Sequence, residues 1–234
     1  MKNAIHQLTL GVSLKDHATF DNYFSGSNTH LVQELFKAAQ GSSSQRVIYF
    51  YGAGGQGFTH LLQASCHEAH RQRRTAAYLP FADYKNFSPA LFEGLETLNL
   101  VCFDDTHLIA GVPQWEEAFF HAFNRIYDAG GTLIFTANCS PRQAGFRLPD
   151  LVSRLSWGIV FQLQPLTDVE KLAMLMMRAQ RRGMTLSEEV GRFILTHCPR
   201  HMSTLCTALD VLDRTSLAAQ RRLTIPFVKT VLEI

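Results

Sequence analysis

Five short apolar runs, separated by segments of helical periodicity, dominate residues 47 to 163. The apolar residues in each run are continuous rather than alternating, which is typical of strands covered on both faces of a sheet. Strands that alternate with helices in this way predict an α/β domain with a parallel sheet. The predicted strands are 47–51, 75–80, 98–105, 132–137 and 158–163, and the predicted helices are 28–40, 59–73, 88–95, 114–129 and 149–155. Asn28 or Thr29 is expected to cap the first helix.

The pattern changes after "QPLT" at 164–167, where four helical segments follow one another without an intervening strand. They are predicted at 168–182, 187–197, 201–219 and 225–232. Glycine and proline residues punctuate them, as expected at helix boundaries. We therefore expect three parts: a mobile N-terminal segment (1–16), an α/β domain (17–165) and a small helical domain (166–234).

Composition and charge exclude several classes of protein. With 46% hydrophobic and 18% charged residues, a chain of 234 residues can bury a core and is not predicted to be disordered. A net charge of +2 is too small to predict nucleic-acid binding by itself. Every apolar run is shorter than a membrane span, and no signal peptide is recognisable, so a cytoplasmic location is expected. The five cysteines form no C-x-x-C pair and are interpreted as free thiols.

A glycine-rich loop follows the first predicted strand, in the stretch "YGAGGQGFTH". Gly52, Gly57 and Thr59 stand where the phosphate-loop pattern G-x-x-x-x-G-K-[ST] has its glycines and hydroxyl, but Phe58 replaces the lysine. Such loops bind phosphate because backbone N–H groups and a helix N-terminus converge on its oxygen atoms, and the further glycines Gly54 and Gly55 leave the backbone free to do so. An ordinary strand-to-helix turn is the alternative interpretation.

A second motif is "LVCFDD", an apolar strand that ends in two carboxylates and resembles a Walker B strand. Asp104 could hold Mg²⁺ together with the hydroxyl of Thr59, and Asp105 could polarise an attacking water. Two solvated aspartates at the end of a strand are the alternative. The two motifs occur in the order that a nucleotide site requires.

Two further polar residues are candidates for this chemistry. Asn138 ends the predicted strand "TLIFTA" and could orient a γ-phosphate or a water, although a turn asparagine is the alternative. Arg154 lies near the end of a short helix and could act as an arginine finger in a neighbouring site, the alternative being a surface arginine. Trp115 and Trp157 are interpreted as packing residues, and Trp157 is expected to help position the helix of Arg154.

Six sequence boxes occur in one order and together resemble the AAA+ module of the bacterial replication initiator DnaA. In order they are "TFDNYFSGSN" on the adenine side, "GAGGQGFTHLLQA" for Walker A, "FDDTHLI" for Walker B, "FTANCSP" for sensor 1, "LVSRLSWG" for the arginine-finger box and "CPRHMSTLCTALDVL" for the sensor 2 helix. The similarity runs from about residue 19 to the end of the chain.

The resemblance implies an α/β AAA+ P-loop fold, with a parallel five-stranded sheet sandwiched by helices and followed by a small helical lid domain. It gives Arg154 the role of an arginine finger, and Thr59 and Asp104 the role of metal ligands. The nucleotide-binding residues that it implies are Phe20, Asp21, Asn22, Tyr23, Gly52, Gly54, Gly55, Gln56, Gly57, Phe58, Thr59, His60, Asn138 and Arg200.

The N-terminal stretch "QLTLGV" resembles a sliding-clamp-binding peptide, in which Gln7, Leu8 and Leu10 would seat in a hydrophobic pocket. No helix-turn-helix domain of the DnaA type is expected, and therefore no sequence-specific DNA binding. This layout resembles that of DnaA-homologous regulatory inactivators. The implied partners are DnaA and the β subunit sliding clamp, and self-association through the arginine-finger face is a further expectation.

Phe58 decides what the loop can do. A phosphate-loop lysine neutralises the β- and γ-phosphates, so its loss removes transition-state stabilisation more than binding. We expect a bound nucleoside diphosphate, ADP, with or without Mg²⁺, and no competent hydrolysis in this chain. The alternatives are a vestigial, empty loop in a protein-interaction module, an autonomous DnaA-like ATPase or helicase loader, and a DNA-binding regulator that uses "HRQRR" (70–74).

Overall fold

The computed structural model describes residues 14, 18–219 and 222–234. Two compact units divide this part of the chain. The first contains His30–Gly52 and Phe58–Gln162 together with the described residues ahead of Phe24. The second contains Phe24–Thr29, Ala53–Gly57 and Leu163–Ile234.

A five-stranded sheet organises the first unit. Its strands are β1 (Val47–Tyr51), β2 (Ala76–Pro80), β3 (Leu100–Asp104), β4 (Thr132–Ala137) and β5 (Ile159–Gln162). They lie in the order β2-β3-β4-β1-β5, and every neighbouring pair is parallel. All residues of β3 and β4 are buried, which explains their continuous apolar sequence. The predicted α/β fold with a parallel five-stranded sheet is confirmed.

Four α-helices connect or precede these strands: α1 (Thr29–Gln40), α2 (Phe58–Arg71), α3 (Pro113–Asp128) and α4 (Pro149–Leu155). The helix predicted at 88–95 was wrong. That segment forms two short 3₁₀ turns, Pro89–Phe92 and Leu95–Thr97. Gly94, between them, has a left-handed backbone with φ of 80°, which ends the first turn before an α-helix can propagate.

Of the two predicted cap residues, Asn28 directly precedes α1 and Thr29 is its first residue. The side chain of Asn28 pairs with the main chain of Gln164, donating to its carbonyl at 2.9 Å and accepting from its N–H at 2.8 Å. The hydroxyl of Thr29 donates to the carbonyl of Gly26 at 2.8 Å. These hydrogen bonds tie both side chains to residues outside α1.

The guanidinium group of Arg74, which is distant in sequence, binds the C-terminus of α1. Nη1 of Arg74 donates to the carbonyl oxygens of Ala38 and Ala39, both at 2.7 Å. These carbonyls belong to the last turn, where a positive charge stabilises a helix. Burial lowers the pKa of Arg74. His70 and Arg71 lie in the last turn of α2, which ends at Arg71, whereas Arg74 lies beyond that helix and stabilises the end of α1.

An aromatic cluster fills the core on one side of the sheet. The rings of Phe103 and Phe119 lie 4.9 Å apart, and those of Phe103 and Phe135 lie 5.4 Å apart. Trp115 joins this cluster and is 3% exposed, which confirms its interpretation as a packing residue. Trp157 is 55% exposed and is therefore not a core residue, although its ring lies 5.0 Å from that of Tyr127.

The second unit is helical and has its own apolar core. Its helices are α5 (Asp168–Arg181), α6 (Glu188–His197), α7 (Met202–Ala219) and α8 (Ile225–Leu232). A capping box of Thr167 and Glu170 starts α5, and Glu170 also accepts from the backbone N–H and hydroxyl of Ser27. Within the described ranges, no helix is both long and apolar enough to cross a membrane.

Candidate functional site

Three of the predicted site residues follow neighbouring strands of the sheet. Gly52 follows β1, Asp104 ends β3 and Asn138 follows β4, which lies between the other two strands. The N–H of Gly52 donates to the carbonyl of Ala137 at 3.4 Å, so that β1 and β4 stay paired up to the loop. Asn138 is exposed. Ligands of open α/β sheets bind at this carboxyl edge.

The glycine loop adopts a conformation that glycine alone adopts readily. Gly55 has φ of 80° and Gly57 has φ of 93°. A Cβ atom added to Gly54 or Gly55 would meet no atom within 4 Å, so open space surrounds this part of the loop. The first turn of α2 follows directly, and the N–H groups of a first helical turn have no partner within their own helix. A loop of this kind can receive an anion.

Phe58 fills the lysine position with an aromatic ring. Its ring lies 5.7 Å from that of Phe50, which is fully buried in β1. The side chain is half-buried and packs against the sheet. No positive charge can come from this position to balance a β- or γ-phosphate.

Asp104 is buried, with an exposed fraction of 2%, and three hydroxyl groups donate to its carboxylate. Thr59 and Tyr78 donate to Oδ2 at 2.6 and 2.7 Å, and Thr136 donates to Oδ1 at 2.5 Å. Burial and the neighbouring Asp104 raise the pKa of Tyr78 far above its usual range. Sequence reasoning missed Tyr78 and Thr136, which come from strands β2 and β4 on either side of β3.

The bond between Thr59 and Asp104 suits a magnesium site. Because Thr59 gives its proton to Asp104, the oxygen lone pairs of the hydroxyl remain able to bind a cation, as in phosphate loops. In the part of the chain that the structure describes, no group of three or more His, Cys, Asp or Glu side chains could hold a metal ion, either beside Thr59 or at any other place. An ion at Thr59 would therefore need phosphate or water oxygens to complete its ligands.

Asp105 lies beside this carboxylate in an unusual conformation. Its φ is 57°, and its backbone N–H donates to the hydroxyl of Thr136 at 3.0 Å. Burial and the charge of Asp104 raise the pKa of Asp105. Burial lowers the pKa of His107, two residues further on. The protein therefore holds Asp105 in a place that disfavours its charged form, and its predicted role, to polarise an attacking water, stays a prediction.

The predicted adenine-side segment is attached to the start of α2. Nε2 of His60 hydrogen-bonds with the carbonyl of Thr19 at 2.8 Å, and its ring lies 5.6 Å from that of Tyr23. Phe20 begins a 3₁₀ turn that ends at Asn22 and packs edge-on against Phe36 at 5.5 Å. His60 therefore links the segment containing Phe20, Asp21, Asn22 and Tyr23 to the helix that carries Thr59.

Arg200 lies in the second unit, ahead of α7. Its Nη1 donates to Oδ2 of Asp168 at 2.8 Å, and both side chains are more than half exposed. Lys171 approaches the other oxygen of the same carboxylate at 3.6 Å. The predicted sensor arginine is thus paired with an acidic residue of its own unit. An exposed pair of this kind is weak, at about 0–1 kcal/mol, and can exchange for another anion.

Arg154 is held at two places on its guanidinium group. Its Nε donates to Oδ1 of Asn124 at 2.9 Å, and its central carbon lies 4.4 Å from the ring centroid of Trp157. Trp157 was expected to help position the helix of Arg154, and its ring does contact the guanidinium group of that residue; the positioning itself stays a prediction. Among the described residues, no hydrogen bond or ion pair to the two terminal nitrogens of Arg154 is found.

Glu116 anchors the start of the helix that carries Arg154. This carboxylate is 2% exposed and accepts from the backbone N–H groups of Gly111, Arg147 and Leu148 at 2.6 to 3.1 Å. Leu148 is the N-cap residue of α4. Sequence reasoning missed Glu116, although a carboxylate in the helical stripe shared with Phe119 and Phe123 is a signal of a buried anchor.

The predicted clamp-binding residues Gln7, Leu8 and Leu10 lie outside the described residues. Their role stays a prediction.

Two protein families match this sequence, one in each of two consecutive ranges. Residues 14–162 match the family described as the bacterial DnaA ATPase domain. Residues 168–232 match the family described as the lid domain of Hda. Together the two matches span almost all of the described chain.

Solved structures with the same fold include DnaA proteins. Domain III of DnaA from Thermotoga maritima superposes with a TM-score of 0.81 at 20% identity, covering 95% of this chain and 98% of that one. AMPPCP-bound DnaA from Aquifex aeolicus gives 0.76 at 22% identity, covering 88% of this chain and 68% of that one. A RuvB mutant from Thermotoga maritima gives 0.70 at 16% identity, with coverages of 92% and 72%. The AAA+ fold with a helical lid is confirmed.

Proposed function

The chain belongs to the bacterial DnaA ATPase domain family, and from that premise we propose that it inactivates the replication initiator DnaA by stimulating hydrolysis of DnaA-bound ATP. The match to the lid domain of Hda supports a DnaA-related AAA+ regulator rather than a second initiator. The proposed outcome is DnaA in its ADP form, and hence negative regulation of chromosomal replication initiation.

The observation that carries this proposal is the state of Arg154. Asn124 and Trp157 hold Nε and the face of the guanidinium group, which leaves the terminal nitrogens available for an oxyanion. A guanidinium group matches phosphate oxygens with two parallel hydrogen bonds. We propose that Arg154 enters the ATP site of DnaA and stabilises the charge that develops on the transferred phosphoryl group.

The chain's own nucleotide site is proposed to bind without hydrolysing. The open glycine loop supplies backbone donors, and His60 fixes the adenine-side segment. Phe58 supplies no charge to a γ-phosphate, so a diphosphate such as ADP is the expected ligand. Mg²⁺, where bound, would shield phosphate charge, with Thr59 as its ligand and Asp104 orienting Thr59. A structure of replication initiator DnaA is described as bound to AMPPCP, which supports nucleotide binding in this fold.

The remaining partners belong to the same proposal. The sequence "QLTLGV" supports a clamp-binding peptide at Gln7, Leu8 and Leu10, so that the protein acts on the sliding clamp in the cytoplasm. The clamp would raise the local concentration of this chain near DnaA on DNA. Self-association through the Arg154 face would compete with DnaA, because both partners would cover the same arginine.

Replacement of Arg154 tests the proposal. Purified wild-type protein, Arg154→Ala and Arg154→Lys are mixed with DNA-loaded clamp and DnaA carrying radiolabelled ATP, and ADP formation is followed. Loss of an arginine finger lowers the rate by about three to five decades, so Arg154→Ala should reduce stimulation to background. Arg154→Lys should recover little, because an ammonium group cannot make two parallel bonds.

Arg142→Ala is the matched control, since Arg142 is an exposed arginine of the same unit. Clamp binding of each variant is measured separately, and it should be unchanged. Full stimulation by Arg154→Ala would contradict the proposal.

The packing of Phe58 on Phe50 also favours a second candidate, in which the loop is a vestigial, nucleotide-free part of an interaction module. Identification of any nucleotide that copurifies with the chain separates the two. A stoichiometric diphosphate would support the first candidate, and its absence together with unchanged melting in ADP would support the second.

A further inference from the structure

Four side chains of the first unit form a series in which a cation lies at each end and two neighbouring aromatic rings lie between them. The guanidinium carbon of Arg46 lies 3.9 Å from the ring centroid of Tyr127. The rings of Tyr127 and Trp157 lie 5.0 Å apart with an interplanar angle of 31°. The guanidinium group of Arg154 then lies over Trp157 at 4.4 Å. We call these residues (Arg46, Tyr127, Trp157 and Arg154) the arginine–aromatic ladder.

The ladder is anchored in the buried core. Tyr127 is nearly parallel to Phe123, at 6.1 Å and 12°, and Phe123 is nearly parallel to Phe135, at 5.9 Å and 11°. Phe135 belongs to the central strand β4 and is fully buried. Nη1 of Arg46 also donates to the carbonyl of Tyr127 at 2.8 Å. Contacts therefore run without a break from the sheet to the exposed indole of Trp157.

Burial does not explain why Trp157 stays beside Arg154, because more than half of its side chain is exposed. Attraction between a cation and an aromatic face does explain it. The contacts of Arg154 are also complementary. Asn124 fixes the direction of the Nε–H bond, whereas the indole fixes the plane of the guanidinium group. Each restraint lowers the entropy that a long side chain must lose when it meets a phosphate.

We propose that Trp157 is a positioning residue that holds the guanidinium plane of Arg154 ready for the nucleotide site of DnaA. This inference rests on the proposed function, since Arg154 must be the group that acts. The ring of Tyr127 supports the indole, and Arg46 in turn holds Tyr127. Trp157 itself is proposed to touch neither ATP nor the reacting atoms.

Titration of stimulation against protein concentration separates positioning from docking. Trp157→Ala should lower the plateau rate of DnaA-bound ATP hydrolysis by about two- to tenfold, the range of one cation–π contact, with the half-saturating concentration unchanged. Trp157→Phe should retain most of the plateau, because it keeps an aromatic face. Phe87→Ala removes an exposed aromatic side chain of the same unit and should behave as wild type.

An unchanged plateau in Trp157→Ala would overturn the proposal. A rise in the half-saturating concentration alone would overturn it too, since Trp157 would then be a docking contact. Equal losses in Trp157→Ala and Trp157→Phe, together with lower melting temperatures, would indicate a structural role and would also contradict it.

A spectroscopic measurement tests the ladder independently of DnaA. The chain has two tryptophans, so 5-fluorotryptophan labelling gives two ¹⁹F signals, which Trp157→Phe assigns. Arg154→Ala should shift the Trp157 signal and leave that of buried Trp115 unchanged. Normal stimulation by Arg154→Ala with a shifted signal would mean that the proposed function fails although the ladder exists. An unshifted signal would overturn the ladder itself.

Discussion

Nε of Arg154 donates a 2.9 Å hydrogen bond to Oδ1 of Asn124, and this bond joins the last turn of α4 to the middle of α3. The two residues are 30 positions apart. The bond uses the nitrogen least suited to reach a distant phosphate and leaves the terminal nitrogens unaffected. Helix α3 is fixed by buried aromatic residues, so the arginine is held by a rigid element.

Replacement of Asn124 should affect stimulation more than stability. Asn124→Ala removes the acceptor, so we expect a fall of about tenfold in stimulated hydrolysis, equivalent to ~1.4 kcal/mol of positioning. The free energy of unfolding should change by less than about 1 kcal/mol, since the bond is only partly buried.

Asn124→Asp keeps an oxygen acceptor and should retain more stimulation than Asn124→Ala. Hydrolysis of DnaA-bound ATP and urea denaturation check the two quantities. Equal stimulation by both variants would show that the hydrogen bond has no part in positioning.

Glu116 should matter for stability because its buried carboxylate accepts from three backbone N–H groups. Glu116→Gln replaces one carboxylate oxygen, an acceptor, by an NH₂ group, a donor. This NH₂ group would face a backbone N–H group in the buried interior, so that two donors would lie opposite each other. We expect a loss of about 1–3 kcal/mol in the free energy of unfolding. Glu117→Gln, on the exposed side of the same helix, is the control and should stay within about 0.5 kcal/mol. Urea denaturation distinguishes them, and similar values would contradict the anchoring role.

Restoring the lysine should change nucleotide preference. Phe58→Lys places an ammonium group at the phosphate loop, where it can neutralise the β- and γ-phosphates. We expect wild type to be stabilised mainly by ADP and Phe58→Lys by ATP as well. A ligand at one hundred times its dissociation constant adds about 2.7 kcal/mol to the free energy of unfolding.

Phe58→Leu controls for the lost contact with Phe50 and should not gain ATP binding. Thermal melting with and without each nucleotide checks the expectation. If neither ADP nor ATP shifts the melting of any variant, the loop does not bind nucleotide.

The raised pKa of Asp105 predicts that the free energy of unfolding depends on pH. Its folded pKa is raised, chiefly by burial and then by Asp104, so the folded chain binds the proton more tightly than the unfolded chain. Stability from this residue is therefore lost as pH rises through its folded pKa, and the full penalty is present only above that pKa. Asp105→Asn should raise the melting temperature at pH 7, the more so because asparagine tolerates the left-handed backbone at φ of 57°.

The gain in Asp105→Asn should shrink as the pH falls below the folded pKa of Asp105. Asp83→Asn replaces an exposed aspartate of the same unit and should show no such trend. Melting curves recorded at a series of pH values from acidic to neutral check the sign. A pH-independent difference would assign the effect to the backbone alone.

The sequence by itself determined the local structure. Periodicity placed β1, β4, α4 and α8 with their observed bounds, because strand and helix patterns repeat within a few residues. It failed at 88–95, where a left-handed glycine interrupts an apparent helix. The glycine loop and the acidic strand end were also predictable, since each depends on residue types at short, set spacings.

Only the tertiary structure decided which side chains meet. Three hydroxyl groups donate to Asp104, and they lie 26 to 45 positions away from it along the chain. The acceptor for Arg154 lies 30 positions away. Strand order and helix packing bring such residues together. A sequence read one segment at a time carries local preferences, whereas these contacts arise from burial of the whole sheet and its helices. Trp157 could be assigned to the helix of Arg154 because the two residues are close in sequence. Its exposure and its contact with Tyr127 could not be predicted, because they depend on how the helices pack.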